Sequence, residues 1–582
     1  MSSYLRALWL SLLGAVICAA PAYAQDPAHK GAAAAASGPP QHYDLLISGG
    51  TVIDGTGSAG VQADVGIVGQ HIAKIGHIDP RQATTSIDAR GKVVSPGFIN
   101  MLSWAVESLM VDGRGMSDLK QGVTLEVFGE GNSMGPLTPA MKAEMIRQQA
   151  DFKFKIPWTT LGEYLDFMAD KGISLNIASF VGAETVRVHE LAYANRKPTA
   201  EELARMQELV RVGMREGALG VGSALIYAPG TFADTDELIA LARAAAEYHG
   251  RYISHMRSEG DHIEAAIDEL IRIAREAGIG AEMYHMKLGG KDNWGKFDAV
   301  TKRIADAQQA GLDITGNMYP YTAGATGLDA SMPSWVQEGG LEAWIGRLRD
   351  PATRERVIAE MQKPGEGWEN LFYAAGSADN IMLVGFKNPK LRELTGKTLA
   401  EVATLRGKSP AETALDLVIE DDSRVDTMYF LMSEENVRRT LQLPYVAFGS
   451  DAEAAAPEGV FLTTSTHPRA YGTFARVLGH YVRDEKVLSL PEAIRRMSAL
   501  PAKNLKLRQR GLLKPGYYAD VVVFDPATIA DTSTYAKPMQ YAVGVSDVIV
   551  NGTTALRNGM ATGAQSGQVV RGPGWTGWKK AH

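Results

Sequence analysis

The sequence predicts an α/β protein: a (β/α)₈ barrel with a small β-sandwich domain formed by both chain ends. Three observations support this prediction. Apolar β-type runs alternate with helical patterns through the middle of the chain, which is typical of a parallel sheet. Short β-type runs of similar texture occur near both ends. Finally, 582 residues are too many for one simple domain and enough for a barrel with accessory parts.

The first 24 residues have the features of a secretory signal peptide. Arg6 supplies a positive charge, Leu8–Ala20 is apolar, and Ala22-Tyr23-Ala24 forms a cleavage site before Gln25. The apolar run is short for a membrane span, and no later run of about 18 apolar residues follows it. We therefore expect a periplasmic or secreted protein with no stable membrane insertion after cleavage. An uncleaved anchor is the alternative.

Composition restricts the partners and the kinds of site. Residues 25–41 are rich in Ala, Gly and Pro and predict a flexible leader. Cys18 is the only cysteine, so the mature chain has no disulfide and must build any metal site from His, Asp, Glu or Lys. A net charge of −7 gives no basic surface of the kind that nucleic acid binding requires.

The domain boundaries follow from the β-type runs. Residues 42–93 and 501–575 are assigned to the two parts of the sandwich, and 94–500 to the barrel. A mostly helical insertion at about 325–443 separates barrel strands seven and eight, where insertions often form lids. The eight predicted barrel strands are Val94–Met101, Val123–Gly129, Ser174–Phe180, Leu219–Ala224, Tyr252–Met256, Gly280–Met286, Asp313–Tyr319 and Tyr445–Asp451.

Histidines stand at the ends of strands five and six, where the active site of such a barrel lies. Strand five reads YISHMRSEG, with His255 at its tip. The two-residue period of a strand puts Arg257 on the same face, where we expect it to contact substrate. Strand six reads AEMYHMKLGG and relates His285 and Lys287 in the same way.

Carboxylates stand at the ends of strands two and eight. Strand eight ends at Asp451; strand two ends at Glu130, with Glu126 deeper inside. Imidazoles and carboxylates that converge on one barrel mouth suit a zinc ion, which in catalytic sites takes three protein ligands and leaves a position for water. Because ligands belong at the rim, Glu130 is the favoured ligand and Glu126 a buried polar partner, although either carboxylate can fill the role.

Several longer motifs carry a family resemblance. They are SPGFI, GALGVGSALIYAPGTFA, ISHMRSEG, YHMKLGGKDNWGK, MYPYTAGATGL, NPKLRELTGKTLAEVA, FGSDAE, HPRAYGTFARVLGHYVR and RGLLKPGYYADVVVFDP. In these segments the chain resembles the N-acyl-D-amino-acid deacylases, or D-aminoacylases, of the amidohydrolase superfamily. The resemblance covers nearly all of the mature chain, from ISGGTVIDGTG onward.

The resemblance implies roles for individual residues. His255 and His285 match the family's zinc ligands on strands five and six, and Asp451 matches its catalytic aspartate. Other positions match those thought to hold the acyl or carboxylate groups of the substrate, or to line the same pocket; they are Lys287, Tyr227, Arg469 and one of Tyr319 and Tyr321.

Two departures from the family pattern concern the metal. In VVSPGFINMLSWA, Leu102 and Trp104 replace the family's strand-one H-x-H, and the family's cysteine ligand after strand two is absent, with Glu130 in its neighbourhood. These changes predict about one zinc ion per chain, held by Glu130, His255 and His285. Trp104 is expected to make the wall beside it apolar.

The implied activity is hydrolysis of the amide C–N bond of N-acyl-D-amino acids by a zinc-activated water. Asp451 is expected to act as general base and then acid, and Lys287 or Tyr227 to stabilise the oxyanion. Arg469 either clamps a substrate carboxylate or forms an ordinary ion pair. The alternatives are a related peptide, lactam or N-acyl hydrolase, and a non-catalytic periplasmic binding protein on the same fold.

Overall fold

A computed structural model describes residues 42–580, so the predicted signal peptide and the predicted leader lie outside the described residues. The strands are β1 (Tyr43–Val52), β2 (Val61–Val68), β3 (His71–Gly76), β4 (Ala83–Asp88), β5 (Val93–Pro96), β6 (Phe98–Asn100), β7 (Val123–Phe128), β8 (Asn176–Ser179), β9 (Val181–Gly182), β10 (Gly220–Ala224), β11 (Arg251–His255), β12 (Gly280–Met283), β13 (Ile314–Met318), β14 (Ala323–Gly327), β15 (Ile381–Gly385), β16 (Asp426–Phe430), β17 (Val446–Phe448), β18 (Val521–Phe524), β19 (Val545–Val550), β20 (Thr553–Arg557) and β21 (Met560–Ala561).

The α-helices connect and cover these strands. They are α1 (Ser108–Val111), α2 (Met116–Leu119), α3 (Pro139–Gln148), α4 (Leu161–Lys171), α5 (Ala183–Leu191), α6 (Ala200–Glu216), α7 (Thr235–Ala246), α8 (Ile263–Ala277), α9 (Phe297–Gln309), α10 (Gly340–Leu348), α11 (Pro351–Met361), α12 (Leu371–Ala374), α13 (Leu399–Arg406), α14 (Pro410–Asp421), α15 (Glu434–Leu441), α16 (Arg469–Arg476), α17 (Leu490–Met497) and α18 (Ala499–Asn504). Within residues 42–580, no helix combines the length and apolar character needed to cross a membrane.

Strands from both chain ends form one nine-stranded sheet. Its order is β21-β20-β19-β18-β5-β1-β2-β3, with β4 paired to β1. The two ends meet where β18 pairs antiparallel with β5, so that Val521 lies opposite Pro96. All four residues of β18 are buried, as expected for a continuous Val/Phe run in the middle of a sheet.

Parallel strands make up the centre of the fold. One sheet has the order β6-β7-β8 and another the order β17-β13-β12-β11-β10-β9. Only Phe180 separates β8 from β9, and the Met101 amide donates to the Phe448 carbonyl at 3.1 Å, which joins β6 to β17. The two parallel sheets are therefore connected at both edges, with their carboxyl ends on the same side.

Helices between the parallel strands follow from strong local signals. Helix α6 begins with a capping box between Thr199 and Glu202 and ends at Gly217, which adopts the left-handed conformation at φ 103°. Helix α8 buries a continuous apolar face that includes Ile263, Ile267 and Leu270. Helices α6 to α9 pack against one another in chain order, outside the strands they connect.

The segment between β13 and β17 contains more than the predicted helices. Besides α10–α15 it forms a three-stranded antiparallel sheet in the order β14-β16-β15, which the sequence analysis did not predict. Strand β14 reads AGATG, a composition with low β-propensity that pairing with β16 overrides. The segment also has an apolar core of its own, formed around Trp344, Leu383 and Tyr429.

Candidate metal centre

Three donor side chains meet at the carboxyl ends of the parallel strands. Glu130 follows β7, His255 ends β11, and His285 follows β12. Glu130 Oε1 lies 3.1 Å from His255 Nδ1 and 2.8 Å from His285 Nε2. All three residues are buried, and their ligand atoms lie within 4.8 Å of one another. Three strands thus deliver one compact N/N/O group of potential ligands.

This group fits a metal ion. Two imidazole nitrogens and one carboxylate oxygen are a donor set that zinc and similar cations take in proteins. The imidazole rings stand nearly perpendicular, with their centroids 4.5 Å apart. His255 Nε2 is buried and has no hydrogen-bond partner. A buried donor of this kind is normally satisfied by a partner or an ion.

Glu259 forms a second layer behind the two histidines, and the sequence analysis missed it. Its carboxylate accepts from Lys287 Nζ at 2.8 Å on both oxygens and lies 2.9 Å from His285 Nδ1. It also lies 3.6 Å from His255 Nε2. A carboxylate behind a ligating histidine fixes the ring and its tautomer. The signal was present in HMRSEG, where Glu259 follows His255 by four residues.

The charges of the group suit a cation. Burial opposes ionisation of Glu130, but His285 and His255 hold the pKa of its carboxyl well below the usual range. Burial and Lys287 lower the pKa of His285, yet Glu259 and Glu130 outweigh them and raise it to about 9. A cation that binds His285 therefore competes with a proton for the imidazole.

Trp104 does not form the apolar wall that the sequence predicted. Its indole Nε1 donates to Glu130 Oε2 and to Asp451 Oδ1, each at 3.1 Å. The ring is half-buried, and its polar edge points at two carboxylates. Leu102, by contrast, is buried in an apolar cluster. Hydropathy alone could not show which edge of the indole faces the site.

Asp451 stands on the opposite side of the group, after β17. Its Oδ2 lies 2.8 Å from Nη1 of Arg469, the first residue of α16. Burial raises the pKa of Asp451, and Arg469 opposes that shift. The Arg469 guanidinium also lies over the Tyr319 ring, 4.6 Å from its centroid. This buried carboxylate is thus held between a cation and the indole of Trp104.

A cavity of about 840 Å³ opens onto these groups. Its lining contains the three donors, Trp104, Asp451 and most of the other residues predicted from sequence, which are Lys287, Tyr227, Tyr319 and Arg469. The segment between β13 and β17 contributes Thr326, Asp329 and Arg424, so it covers part of the cavity as a lid would. Burial raises the pKa of the Tyr227 phenol well above its ordinary value, which keeps it a hydrogen-bond donor.

Arg257 and Tyr321 lie outside this cavity lining. Arg257 pairs with Glu269 at 2.9 Å and donates to the Thr231 and Ala233 carbonyls. Strand β11 ends at His255, so the two-residue alternation used to place Arg257 no longer applies beyond it. The Tyr321 hydroxyl instead donates to Asp531 at 3.3 Å. The structure does not bring these two residues to the metal group.

Glu126 also lies apart from the metal group. Its carboxylate accepts from Asn100 Nδ2 at 3.0 Å, inside the layer of parallel strands. Asp118 shares the same amide at 3.0 Å. Burial raises the pKa of Glu126 to about 7. The two glutamates of the second predicted barrel strand therefore have different surroundings, and only Glu130 meets the histidines.

Comparison with known proteins identifies the family of the chain. The amidohydrolase family profile matches residues 85–555. The chain is 34% identical to a D-aminoacylase of Alcaligenes xylosoxydans xylosoxydans over 535 residues, covering 91% of this chain and 98% of that protein. The metal group and the cavity positions named above lie within residues 85–555, the range that the family profile matches.

Two solved structures have the same fold. One is an N-acyl-D-glutamate deacylase from Bordetella bronchiseptica in complex with zinc and a phosphonate mimic of the tetrahedral intermediate (30% identity, TM-score 0.75, 91% of this chain and 100% of that chain). The other is a D-aminoacylase whose binuclear metal centre is described by one-metal activation and second-metal attenuation (33% identity, TM-score 0.75, 91% and 100% coverage). The chain has a mixed α/β fold, belongs to the amidohydrolase family in its D-aminoacylase group, and is a hydrolase of carbon–nitrogen bonds other than peptide bonds.

Proposed function

We propose that the protein is a zinc-dependent deacylase that hydrolyses the amide bond of N-acyl-D-amino acids. One observation carries the proposal. Glu130, His255 and His285 form a metal-binding group that faces Asp451 within a single cavity of about 840 Å³. A cavity of this volume suits a small ligand such as an acylated amino acid.

We also infer that the two parallel sheets are arcs of one (β/α)₈ barrel and that the nine-stranded sheet is the sandwich domain. The barrel is supported by the hydrogen bond from Met101 to Phe448 and by the single residue between β8 and β9. Counting β8 and β9 as one strand gives eight strands, in the order that the sequence predicts. The carboxyl ends of such strands are where barrel enzymes hold their catalytic groups.

The residues that would hold zinc are Glu130, His255 and His285. When bound there, a zinc ion polarises a carbonyl and activates water. We propose about one ion per chain, because Leu102 and Trp104 supply no ligand atom on the side where β6 ends. Glu259 would orient the His285 imidazole from behind through its 2.9 Å contact with Nδ1.

Asp451 is the proposed general base and acid. Its carboxylate would accept the proton of the attacking water and deliver it to the departing amine nitrogen. Burial, which raises its pKa, favours such proton exchange near neutral pH. Its pairing with Arg469 Nη1 at 2.8 Å fixes one oxygen and leaves the other turned toward Trp104 and the metal group.

Lys287, Tyr227 and Arg469 are the proposed substrate contacts. Lys287 Nζ is held by Glu259 next to His285, and the Tyr227 ring packs edge-on against His255 at 5.2 Å. Either donor would stabilise an oxyanion formed beside the metal group. Arg469 is a cation on the cavity wall, next to Tyr319, and would bind the carboxylate of an amino acid product bidentately.

The test is turnover of the purified mature chain, from Gln25 onward, loaded with zinc. A panel of matched N-acyl-D- and N-acyl-L-amino acids, with a lactam and a dipeptide of D-residues, covers the alternatives. We expect amine release from at least one N-acyl-D-amino acid and none from its L-isomer. Turnover confined to the lactam or dipeptide would contradict the substrate class, and absence of turnover in protein with full zinc would favour a binding role.

We propose further that the protein is exported and acts in the periplasm or outside the cell. The support is the positive, apolar and small-residue pattern of residues 1–24. Amino-terminal sequencing of the exported form should begin at Gln25. Recovery of a chain that retains Met1 in the membrane fraction would contradict cleavage.

A further inference from the structure

The indole nitrogen of Trp104 lies between two buried carboxylates. Its N–H is shared by Glu130 Oε2 and Asp451 Oδ1, both at 3.1 Å. Glu130 is 4% exposed and Asp451 is 7% exposed, so water screens their repulsion poorly. Two buried carboxylates that approach one point favour a positive charge there. The positive end of the indole N–H dipole occupies that point.

The backbone fixes this arrangement from both sides. The Trp104 amide donates to the Ala452 carbonyl at 2.9 Å, and the Asp451 amide donates to the Leu102 carbonyl at 2.8 Å. Ser103 and Ala452 form a parallel bridge between the same two segments. The indole and the Asp451 carboxylate are therefore held in register by the main chain that follows β6 and β17.

The other oxygen of each carboxylate already has a partner. Glu130 Oε1 faces the two histidines, and Asp451 Oδ2 faces Arg469. Without a donor between them, the two inner oxygens would repel each other, or they would attract an additional cation. An indole N–H donates but has no lone pair for a metal, so it satisfies both oxygens and offers no ligand.

We propose that Trp104 is a positioning residue that takes the place of a second cation between Glu130 and Asp451. The N–H holds the proposed metal ligand and the proposed base in fixed orientations, and because it satisfies both inner carboxylate oxygens it leaves them unavailable to a second metal ion. The proposal rests on the proposed function for its kinetic consequence alone. Its structural consequence, the number and environment of bound cations, is independent of the substrate.

The first experiment titrates metal-free protein with Co²⁺ alone, since the visible spectrum of Co²⁺ reports its ligand geometry. The variants are Trp104→Phe, which removes the N–H and keeps a ring, and Trp158→Phe as matched control. Trp158 is 2% exposed, has an unpartnered indole nitrogen and does not line the cavity. The control therefore makes the same chemical change away from the carboxylates.

We expect wild type and Trp158→Phe to bind one equivalent of Co²⁺ with superimposable spectra. Trp104→Phe should give a changed spectrum, because Glu130 is no longer held, and should take a second equivalent at higher Co²⁺ concentration. Far-ultraviolet circular dichroism establishes that each variant is folded. If Trp104→Phe does not fold, Trp104→His keeps a ring donor, adds a ligand, and should bind two equivalents.

The second experiment compares kcat and KM on the best N-acyl-D-amino acid. Loss of one hydrogen bond to a charged group should lower kcat of Trp104→Phe by about ten- to hundredfold. KM should stay within about threefold, because the N–H does not contact substrate. Trp158→Phe should match wild type.

Two equivalents of Co²⁺ bound by wild type would overturn the proposal. So would a folded Trp104→Phe protein that matches wild type in both cobalt spectrum and stoichiometry. If wild type turns over no panel substrate, the proposed function fails, but the cobalt titration still decides the role of Trp104.

Discussion

Glu126 and Glu130 lie four residues apart at one strand, are equally buried, and have opposite properties. Glu126 is 0% exposed and Glu130 is 4% exposed. Burial raises the pKa of Glu126 to about 7, so that its carboxyl holds a proton near neutrality. Burial acts on Glu130 in the same direction, yet its histidine neighbours hold the pKa well below the usual range. Neighbours, and not burial, decide which carboxylate is available to a metal.

The neighbours differ because of where each residue lies along the strand. Glu126 is inside β7, where Asn100 of β6 and the acidic Asp118 of α2 surround it. Glu130 lies two residues beyond the end of β7, at the rim where His255 and His285 arrive from other strands. Position at the carboxyl end of the strand thus converts the same side chain from a buried acid into an ionised carboxylate.

The strongest test of this comparison is Glu130→Gln. A neutral amide is a poor replacement for an anionic ligand, so the protein should lose stoichiometric zinc on dialysis. Since the metal supplies several kcal/mol of transition-state stabilisation, turnover should fall by about 10⁴-fold or more. Elemental analysis and initial rates measure the two effects. Glu126→Gln is the matched control; if it loses zinc and Glu130→Gln keeps it, the two roles are reversed.

Asp451→Asn separates proton transfer from metal binding. The variant keeps the shape of the side chain and leaves Glu130, His255 and His285 unchanged, so zinc should remain. Without the base, turnover should fall by about 10²–10⁴-fold. Zinc content and turnover are measured on the same preparation. Near-normal turnover with zinc in place would remove Asp451 from the mechanism, because an aspartate that only caps a loop tolerates Asn.

Many residues of this site could be predicted from the sequence because they lie at the ends of strands. Seven of the eight barrel strands were predicted close to where the parallel strands begin and end. The first, Val94–Met101, was predicted too long, because β5 (Val93–Pro96) pairs with β18 and β1 in the nine-stranded sheet and only β6 (Phe98–Asn100) is a parallel strand. The parallel strands have their carboxyl ends on the same side, so His255 and His285 are brought together by topology alone. The choice of Glu130 over Glu126 as the ligand needed one further argument: ligands belong at the carboxyl ends of the strands, and Glu126 lies deeper.

What the sequence could not supply was the direction of side chains beyond the strand ends. Arg257 follows the last residue of β11, where alternation stops, and it turns to Glu269. The polar edge of Trp104 was hidden by its overall hydrophobicity, although it contacts both carboxylates. Strand β14 has a sequence that favours no strand, and its partner in the fold decides its conformation. Each case is set by tertiary contacts.

Arg257 and Arg469, both predicted to bind substrate, also differ in their surroundings, as Glu126 and Glu130 do. Arg469 lines the cavity and pairs with Asp451, whereas Arg257 lies outside the lining and pairs with Glu269. Arg469→Met should lower kcat/KM by about ten- to hundredfold. KM should rise because a charged hydrogen-bond donor to the substrate is lost, and kcat should fall because Asp451 loses its ion-pair partner. Arg257→Met should keep kcat/KM within about twofold. Equal losses in the two variants would contradict the assignment of Arg469 to the substrate carboxylate.

The smallest effect concerns stability, and it tests the protonated state of Glu126 directly. The ordinary pKa of a glutamate is 4.5, and that of Glu126 in the folded chain is about 7. Below pH 4.5 both states hold the proton and the contribution to stability is complete. Between pH 4.5 and about 7 the unfolded chain has released a proton that the folded chain retains, and the stability is lost as the pH rises through this window.

The glutamine in Glu126→Gln does not titrate, so the stability of the variant relative to wild type should increase as the pH rises. The difference in free energy of unfolding between the two proteins should shift toward the variant by up to about 3 kcal/mol from pH 5 to pH 8, since each pKa unit is worth about 1.4 kcal/mol. Because Asp118 shares the proton through its own burial and the charge of Glu126, the shift can be smaller, but its direction is fixed. Urea unfolding of both proteins at each pH measures it, and titration of groups that are not coupled to Glu126 cancels in the difference. A difference that does not change with pH would mean that Glu126 is ionised throughout, and burial could then no longer explain its contrast with Glu130.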